Sequence, residues 1–171
     1  MRKQFFILAS LALFSALSAG AIYLAGRPPG KSAEKPAFAE ATAGKQEVLI
    51  AIGGQEFLAR VADDEGERRQ GLMGVEVMRE DDAMLFVFPS RAERQFWNRN
   101  TLLDLDIIWV LDNKVVGISF LPRESAQGLV TIHSPGSVDA VVEINAGEAV
   151  RRGIKAGDGV RAVSAGRDRL Q

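Results

Sequence analysis

The chain of 171 residues contains no cysteine and only one histidine, His133. Without cysteine it has no thiolate nucleophile, no cysteine-ligated zinc and no iron–sulfur cluster. A single histidine excludes multi-histidine metal sites, and His133 lies beside Ser134 and Pro135, where we expect a loop. There is no calcium-loop pattern either. We therefore expect no metal and no cofactor.

The sequence also lacks a basic excess and an internal repeat. Residues 1–44 carry five Lys or Arg against two Glu, which leaves 16 basic against 20 acidic residues, net −4, in residues 45–171. A negative domain without a basic stripe is a poor nucleic-acid binder. We therefore expect no nucleic acid among its partners.

Only one long hydrophobic run is present. Arg2 and Lys3 precede 22 uncharged, mostly apolar residues at 5–26, a pattern typical of a signal peptide or a membrane anchor. Small-residue cleavage patterns occur at residues 18–21 and 37–39, so both alternatives stay open. Either one predicts export, with the domain periplasmic or anchored to the inner membrane through residues 4–26 and facing the periplasm.

Composition divides the remaining chain into three parts. Residues 27–44 are rich in Ala, Pro and Lys, which is typical of a flexible linker. Residues 45–165 are predicted to form one β domain, and residues 166–171 a C-terminal tail.

Apolar residues in that domain recur mostly every second position, which predicts strands. Gly53-Gly54 and Asp112-Asn113-Lys114 each separate two such runs and predict hairpins. Asp64 and Glu67 have capping-box spacing, which predicts a short helix ending at Gly71 or Gly74. We expect eight or nine strands in an antiparallel sandwich, jelly roll or barrel, with one or two short helices.

Two aspartates, Asp104 and Asp106, stand at the start of the apolar strand at 107–110. Strand alternation places Asp106 at the edge of the core, where an unpaired carboxylate would cost several kcal/mol, on the order of 2 to 7. The preceding loop, with Asn100 and Thr101, is the nearest source of donors. We therefore expect this loop to hydrogen-bond Asp106, and Asp104 to be exposed.

Five motifs in order resemble those of the DUF192 family, also called UPF0127. They are "RRQGLMG" at 68–74, "AMLFVF" at 83–88, "FWNRNTLLDLDIIWV" at 96–110, "VVEINAG" at 141–147 and "GIKAGDGV" at 153–160. The resemblance covers roughly residues 47–164. It implies a small, mainly β domain, often exported in bacteria, from a family without an established biochemical function.

The resemblance places the family's motif residues at Arg68, Asn100-Thr101, Leu105-Asp106, Glu143 and Gly157-Asp158. Three positions depart from the family pattern, because Asn98 replaces an apolar residue, Ala83 a glycine and Asp104 a proline. Two of these changes add polar groups beside the expected pocket. They indicate a more polar ligand, or one that bears a cation.

Two functional hypotheses follow. The first is a non-catalytic module that binds a small molecule, a glycan or an envelope protein. The alternative is a hydrolase of an envelope polymer that takes its acid and base from Asp104, Asp106 and Glu143. A buried network that only fixes the loop also remains open. The candidate ligand-binding or structural cluster is Arg68, Trp97, Asn98, Asn100, Thr101, Asp104, Asp106 and Glu143.

Overall fold

A computed structural model describes residue 44 and residues 46–163 of the chain. The expected N-terminal hydrophobic helix, most of the linker and the tail lie outside these residues. Within the described part, none of the helices has the length and apolar character needed to cross a membrane.

The described residues form nine strands and three short helices. The strands are β1 (Glu47–Ile52), β2 (Gln55–Ala62), β3 (Asp82–Ala92), β4 (Gln95–Trp97), β5 (Leu105–Leu111), β6 (Lys114–Leu121), β7 (Thr131–His133), β8 (Val138–Asn145) and β9 (Val160–Ala162). The helices are α1 (Glu65–Gln70), α2 (Glu124–Gln127) and α3 (Glu148–Arg151). The mainly β class is confirmed. Helix α2 was not predicted, because its four residues carry no apolar period.

Seven strands form one sheet in the order β6-β5-β8-β3-β2-β1-β9, and β4 pairs with β7 in a separate ribbon. Strands β2 and β3 run parallel, so the expectation of a wholly antiparallel sheet is wrong at this pair. The connection through α1 allows it, because parallel neighbours need a crossover that a tight hairpin cannot supply.

The large sheet curls until its two edges meet. The Val115 N–H donates to the Asp158 carbonyl at 2.9 Å, and the Val160 N–H donates to the Asn113 carbonyl at 2.8 Å. These bonds join the start of β6 to β9, as in a barrel that closes at one end only. The result is a half-barrel.

Both predicted hairpins form. Gly53 and Gly54 have φ of 57° and 87°, and Asp112 and Asn113 have φ of 51° and 60°. Two successive positive φ values match the right-handed twist of the flanking strands, which explains the choice of Gly, Asp and Asn. Strand β3 runs through Pro89 to Ala92, because the ladder with β8 is irregular after Val87 and does not need the missing N–H.

The sheet buries an apolar cluster on each face. One cluster contains Ile50, Phe57 and Val142, and α3 packs against it through Ala149. The other cluster, called the second core here, has Phe86, Ile107, Trp109 and Val141 among its buried residues, with Phe96 and Ile132 of the β4–β7 ribbon packed on it. The second core is the face that carries the candidate site.

Candidate functional site

A pocket of about 470 Å³ lies over the second core, between the β4–β7 ribbon and the segment that runs from α1 into the following loop. Helix α1 begins at the predicted capping box, in which Asp64 accepts from the Glu67 N–H at 2.8 Å, and it ends at Gly71. The pocket is lined by Glu65, Arg68, Arg69, Gln70, Gly71, Leu72, Met73, Phe86, Phe88, Glu93, Arg94, Gln95, Phe96, Trp97, Thr101, Thr131 and Glu143.

Glu143 borders this pocket from strand β8. It lies opposite Met84 of β3 and Ile107 of β5, both of the second core, and only 4% of the residue is exposed. Within the described residues its carboxyl group has no hydrogen-bond partner. Burial away from water penalises the charged form and raises the pKa of Glu143 to about 8. At neutral pH it is therefore a protonated acid with a free O–H donor.

Two arginines lie against the ring of Phe88. The guanidinium carbon of Arg94 is 4.0 Å from the ring centroid and that of Arg68 is 5.6 Å away. Arg68 donates through Nη1 to the carbonyls of Asp63 and Val87, at 2.5 and 3.0 Å. These contacts fix the Arg68 side chain and leave its Nε and Nη2 without a partner within the described chain.

Arg94 is the less satisfied of the two. Its Nη2 donates to the Ser90 carbonyl at 2.6 Å, while its Nε is buried without a partner among the described residues. Burial lowers the pKa of Arg94, and the nearby charge of Arg68 lowers it further. Neither arginine forms an ion pair with a carboxylate in the part of the chain that the structure describes.

Aromatic side chains form the middle of the pocket. The Phe96 ring meets Phe86 edge-on at 4.9 Å between centroids and Trp109 at 5.6 Å. Gly71 passes so close to Phe86 that a Cβ there would lie 3.4 Å from the ring, and its φ of 48° also favours glycine. That distance is an ordinary van der Waals contact, so the positive φ, rather than a lack of space, is what requires glycine here.

The pocket lining thus has two different ends. Glu143 is level with Met84, and Phe88 lies four residues further along β3, which is about 13 Å at roughly 3.3 Å per residue. Thr101 belongs to the Glu143 end, since it precedes β5, whose first residues lie opposite residues 143–145 of β8. One end is cationic and the other carries a neutral acid and a hydroxyl.

Four of the eight predicted site residues line this pocket: Arg68, Trp97, Thr101 and Glu143. The other four, Asn98, Asn100, Asp104 and Asp106, are not part of its lining. The expectation of a ligand bearing a cation depended on Asn98 and Asp104, so it loses its basis. Among the described residues no cluster of three His, Asp or Glu side chains could hold a metal ion.

Asp106 serves a structural purpose. Its Oδ2 accepts the backbone N–H groups of Gly147 and Ala149 at 2.9 and 3.0 Å, so it caps helix α3 from a neighbouring strand. The expectation that the loop before β5 supplies these donors is therefore wrong. The reason is the direction of the side chain, which points to the sheet face on which α3 packs.

The hydrogen bonds of Asn98 are structural as well. It is fully buried, donates through Nδ2 to the carbonyls of Pro122 and Gly128, at 2.9 and 2.8 Å, and accepts the Val130 N–H at 2.7 Å. One side chain thus closes the loop that contains α2. Asp104 is partly exposed and accepts the Arg123 N–H at 2.8 Å.

The carboxyl groups expected to act as an acid and base do not converge. Asp106 shares its face of β5 with Ile108 and Val110 of the first cluster, whereas Glu143 borders the second core. The sheet therefore separates the two groups. This geometry does not support a catalytic pair made from Asp106 and Glu143.

Sequence reasoning missed Arg94, Phe86 and Phe88 as pocket residues. Arg94 stands in a polar stretch and resembles a solvated charge. A usable signal was its position two residues before Phe96, since alternate side chains of an extended segment share one face, although β4 itself begins at Gln95. Phe86 and Phe88 are also two residues apart, so their side chains share one face of β3.

Comparison with known proteins adds the family. The sequence model of DUF192, described as "Uncharacterized ACR", matches residues 48–162. The chain belongs to the DUF192 family. The match spans every strand of this DUF192 domain except the first residue of β1, and it confirms the resemblance drawn from the five motifs.

Two solved structures resemble the DUF192 domain. A protein of unknown function from Novosphingobium aromaticivorans DSM 12444 is 32% identical, with a TM-score of 0.64 over 70% of this chain and 87% of the other. A protein from Sinorhizobium meliloti 1021, described as a "putative transcription regulator", is 29% identical, with a TM-score of 0.60 over 68% and 92%. No curated protein matches the chain.

Proposed function

We propose that this protein is a non-catalytic binding module of the cell envelope that takes a small molecule into the pocket between α1 and the β4–β7 ribbon. The carrying observation is the carboxyl group of Glu143. Glu143 is 4% exposed, borders the pocket and has no hydrogen-bond partner among the described residues. At the other end of the same pocket the Nε of Arg94 is buried without a partner, which costs about 1 to 3 kcal/mol for a polar group. A ligand in the pocket would supply the missing partner.

The size and composition of the pocket support this proposal. Its volume of about 470 Å³ lies within the range of small-molecule sites, roughly 300 to 1,000 Å³. Aromatic walls with a few convergent polar groups are also typical of such sites. Phe86 and Phe96 provide the walls here, and Arg94, Thr101 and Glu143 provide the polar groups.

A nucleic-acid ligand, which the description of the Sinorhizobium neighbour would suggest, is disfavoured by charge. Residues 45–171 carry a net charge of −4, and phosphate backbones are bound mainly by clustered Lys and Arg. Arg68 and Arg94 lie inside a concave site rather than along an exposed face.

Export is the second part of the proposal, and it is supported by Arg2 and Lys3 before the apolar run at 5–26. Protease added to intact spheroplasts should digest residues 45–171. Protection of this region until the membrane is lysed would disprove export. The mass of the mature N-terminus distinguishes an anchor from a cleaved signal.

Pocket binding can be tested by filling the pocket. Thr131 lines it from exposed strand β7, and His133, two residues along the same strand face, does not line it. We expect a fragment library screened by ligand-observed NMR to give hits with the wild-type domain that Thr131→Trp loses and His133→Trp keeps. An absence of hits, or equal loss in both variants, would contradict the proposal. Urea melts establish beforehand that both variants fold.

A further inference from the structure

The two ends of the pocket place different demands on a ligand. At the Phe88 end, the guanidinium groups of Arg68 and Arg94 both lie against the Phe88 ring, 5.6 and 4.0 Å from its centroid, and the described chain offers neither of them a carboxylate partner. Burial lowers the pKa of Arg94 and the positive charge of Arg68 lowers it further, so the two like charges disfavour each other. An anion between them would relieve this repulsion and would satisfy the buried Nε of Arg94.

Of the three acidic residues in the lining, Glu93 is exposed beside Arg94, and the other two tolerate an anion at that end. Arg69 is paired with Glu65 at 2.7 Å on the exposed side of α1, so Glu65 already has a cationic partner. Glu143 is neutral at pH 7 and lies about 13 Å away along the strand direction. Its protonated carboxyl would donate to an acceptor oxygen rather than repel a negative group.

The segment between the ends is apolar. Phe86 is almost fully buried in the second core, and Phe96, Leu72 and Met73 complete the walls around it. A polar ligand segment placed there would lose its hydrogen bonds to water and gain none from the protein. The middle therefore favours a hydrocarbon or aromatic body.

We propose that the pocket selects an elongated organic anion. Its carboxylate or phosphate binds between Arg68 and Arg94. Its apolar body lies over Phe86, and an acceptor oxygen at the far end reaches Glu143 and Thr101. This inference rests on the proposed function, since it names the ligand class of the same pocket.

Matched probes test the charge and the length. The two long anions are 8-hydroxyoctanoate and 8-hydroxyoctyl phosphate. The controls are octane-1,8-diol, which has the chain but no charge, and acetate, which has the charge but no long chain. At pH 7, NMR titrations should show at least one long anion binding about tenfold or more tightly than the diol and acetate, a difference of about 1.4 kcal/mol per decade. The better of the two anions tells carboxylate from phosphate.

Three arginine variants locate the anion. Arg94→Gln should remove the preference for the anion over the diol. Arg99→Gln removes the same charge from an exposed arginine that packs on Trp97, 4.9 Å from the centroid, and does not line the pocket. It should keep the preference. The variant Arg94→Lys should restore part of the affinity if charge, rather than shape, is what the anion requires.

Other results separate the two proposals. Equal affinity for the diol and the anions, or equal loss in the Arg94 and Arg99 variants, overturns the anion inference. If fragments bind at the pocket but none of the four probes does, the anion inference fails and the binding function stands. If no fragment binds either, both fail.

Discussion

Asp106 caps helix α3 from an adjacent strand, with its Oδ2 2.9 Å from the backbone nitrogen of Gly147. The same oxygen accepts the Ala149 N–H, so one carboxylate satisfies two N–H groups at the start of the helix. Burial raises the pKa of Asp106, and these two hydrogen bonds oppose that rise. The residue thus joins β5 to α3 and the apolar cluster beneath it.

The first prediction concerns this cap. Asp106→Ala should lower the free energy of unfolding by about 1 to 3 kcal/mol, because it leaves two N–H groups at a buried helix start without acceptors. Asp104→Ala is the control. Asp104 is partly exposed and accepts a single N–H from Arg123, so its loss should cost about 1 kcal/mol or less. Urea melts measure both, and equal losses would contradict the capping role.

The second prediction concerns pH and Glu143. Its folded pKa of about 8 lies above its ordinary value of 4.5, so the folded state holds one more proton than the unfolded state between these pH values. The free energy of unfolding should therefore fall as pH rises through this window. At about 1.4 kcal/mol per pKa unit, the fall attributable to Glu143 is on the order of 5 kcal/mol.

The variant Glu143→Gln isolates this contribution. Asp106 and Asp139 also have pKa values raised by burial and act in the same direction, so the wild-type curve alone mixes several groups. Urea melts of both proteins at pH 5, 7 and 9 give the difference. We expect the free energy of unfolding of the variant to rise relative to that of the wild type as pH rises, so that the variant is the more stable protein at pH 9. Parallel curves would mean that Glu143 ionises normally.

The third prediction concerns Asn98. Asn98→Ala should destabilise the domain by about 3 kcal/mol, because the carbonyls of Pro122 and Gly128 and the N–H of Val130 all lose their partner. Asn100→Gly serves as the control, since Asn100 is exposed with a φ of 52° that glycine adopts without strain. Chemical denaturation should show little change for the control. Amide hydrogen exchange should rise at residues 122–130 in Asn98→Ala alone.

The fourth prediction concerns Gly71 in the pocket wall. Gly71→Ala adds a Cβ 3.4 Å from the Phe86 ring at a φ of 48°, so it should cost about 1 to 3 kcal/mol and weaken the binding of pocket fragments. Gly136→Ala is the control, because a Cβ at Gly136 would have no atom within 4 Å and the residue has no positive φ. This substitution should leave stability and binding unchanged. Thermal melts and NMR screening report both effects. Retained stability and binding in Gly71→Ala would show that the glycine is dispensable.

The predictable part of the fold was the part that depends on neighbours in sequence. The hairpins at Gly53-Gly54 and Asp112-Asn113 follow from turn residues that accept positive φ. The capping box of Asp64 and Glu67 follows from a three-residue spacing. Alternation along β5 places Asp106 on the opposite face from Ile107 and Trp109, as the two apolar clusters show. The family motifs added the mainly β class, but no sheet order.

The partners of the polar residues were decided by the tertiary structure. Asp106 and Gly147 lie 41 positions apart in the chain, and only the pairing of β5 with β8 brings α3 to the carboxylate. Asn98 was predicted to lie beside the pocket, because the sequence shows that a side chain is polar but not where it points. Likewise, the sequence gives no sign that β2 and β3 run parallel, since that depends on how the α1 connection crosses the sheet.

The sequence by itself determined the absence of cysteine chemistry, the local turns and caps, and the alternation that divides each strand into two faces. These features depend on composition or on residues within one turn or strand. Only the tertiary structure placed Arg68, Arg94 and Glu143 around one pocket, on three segments separated in the chain. Such sites arise from long-range packing, because the sheet order and the crossing of α1 determine which side chains share a cavity.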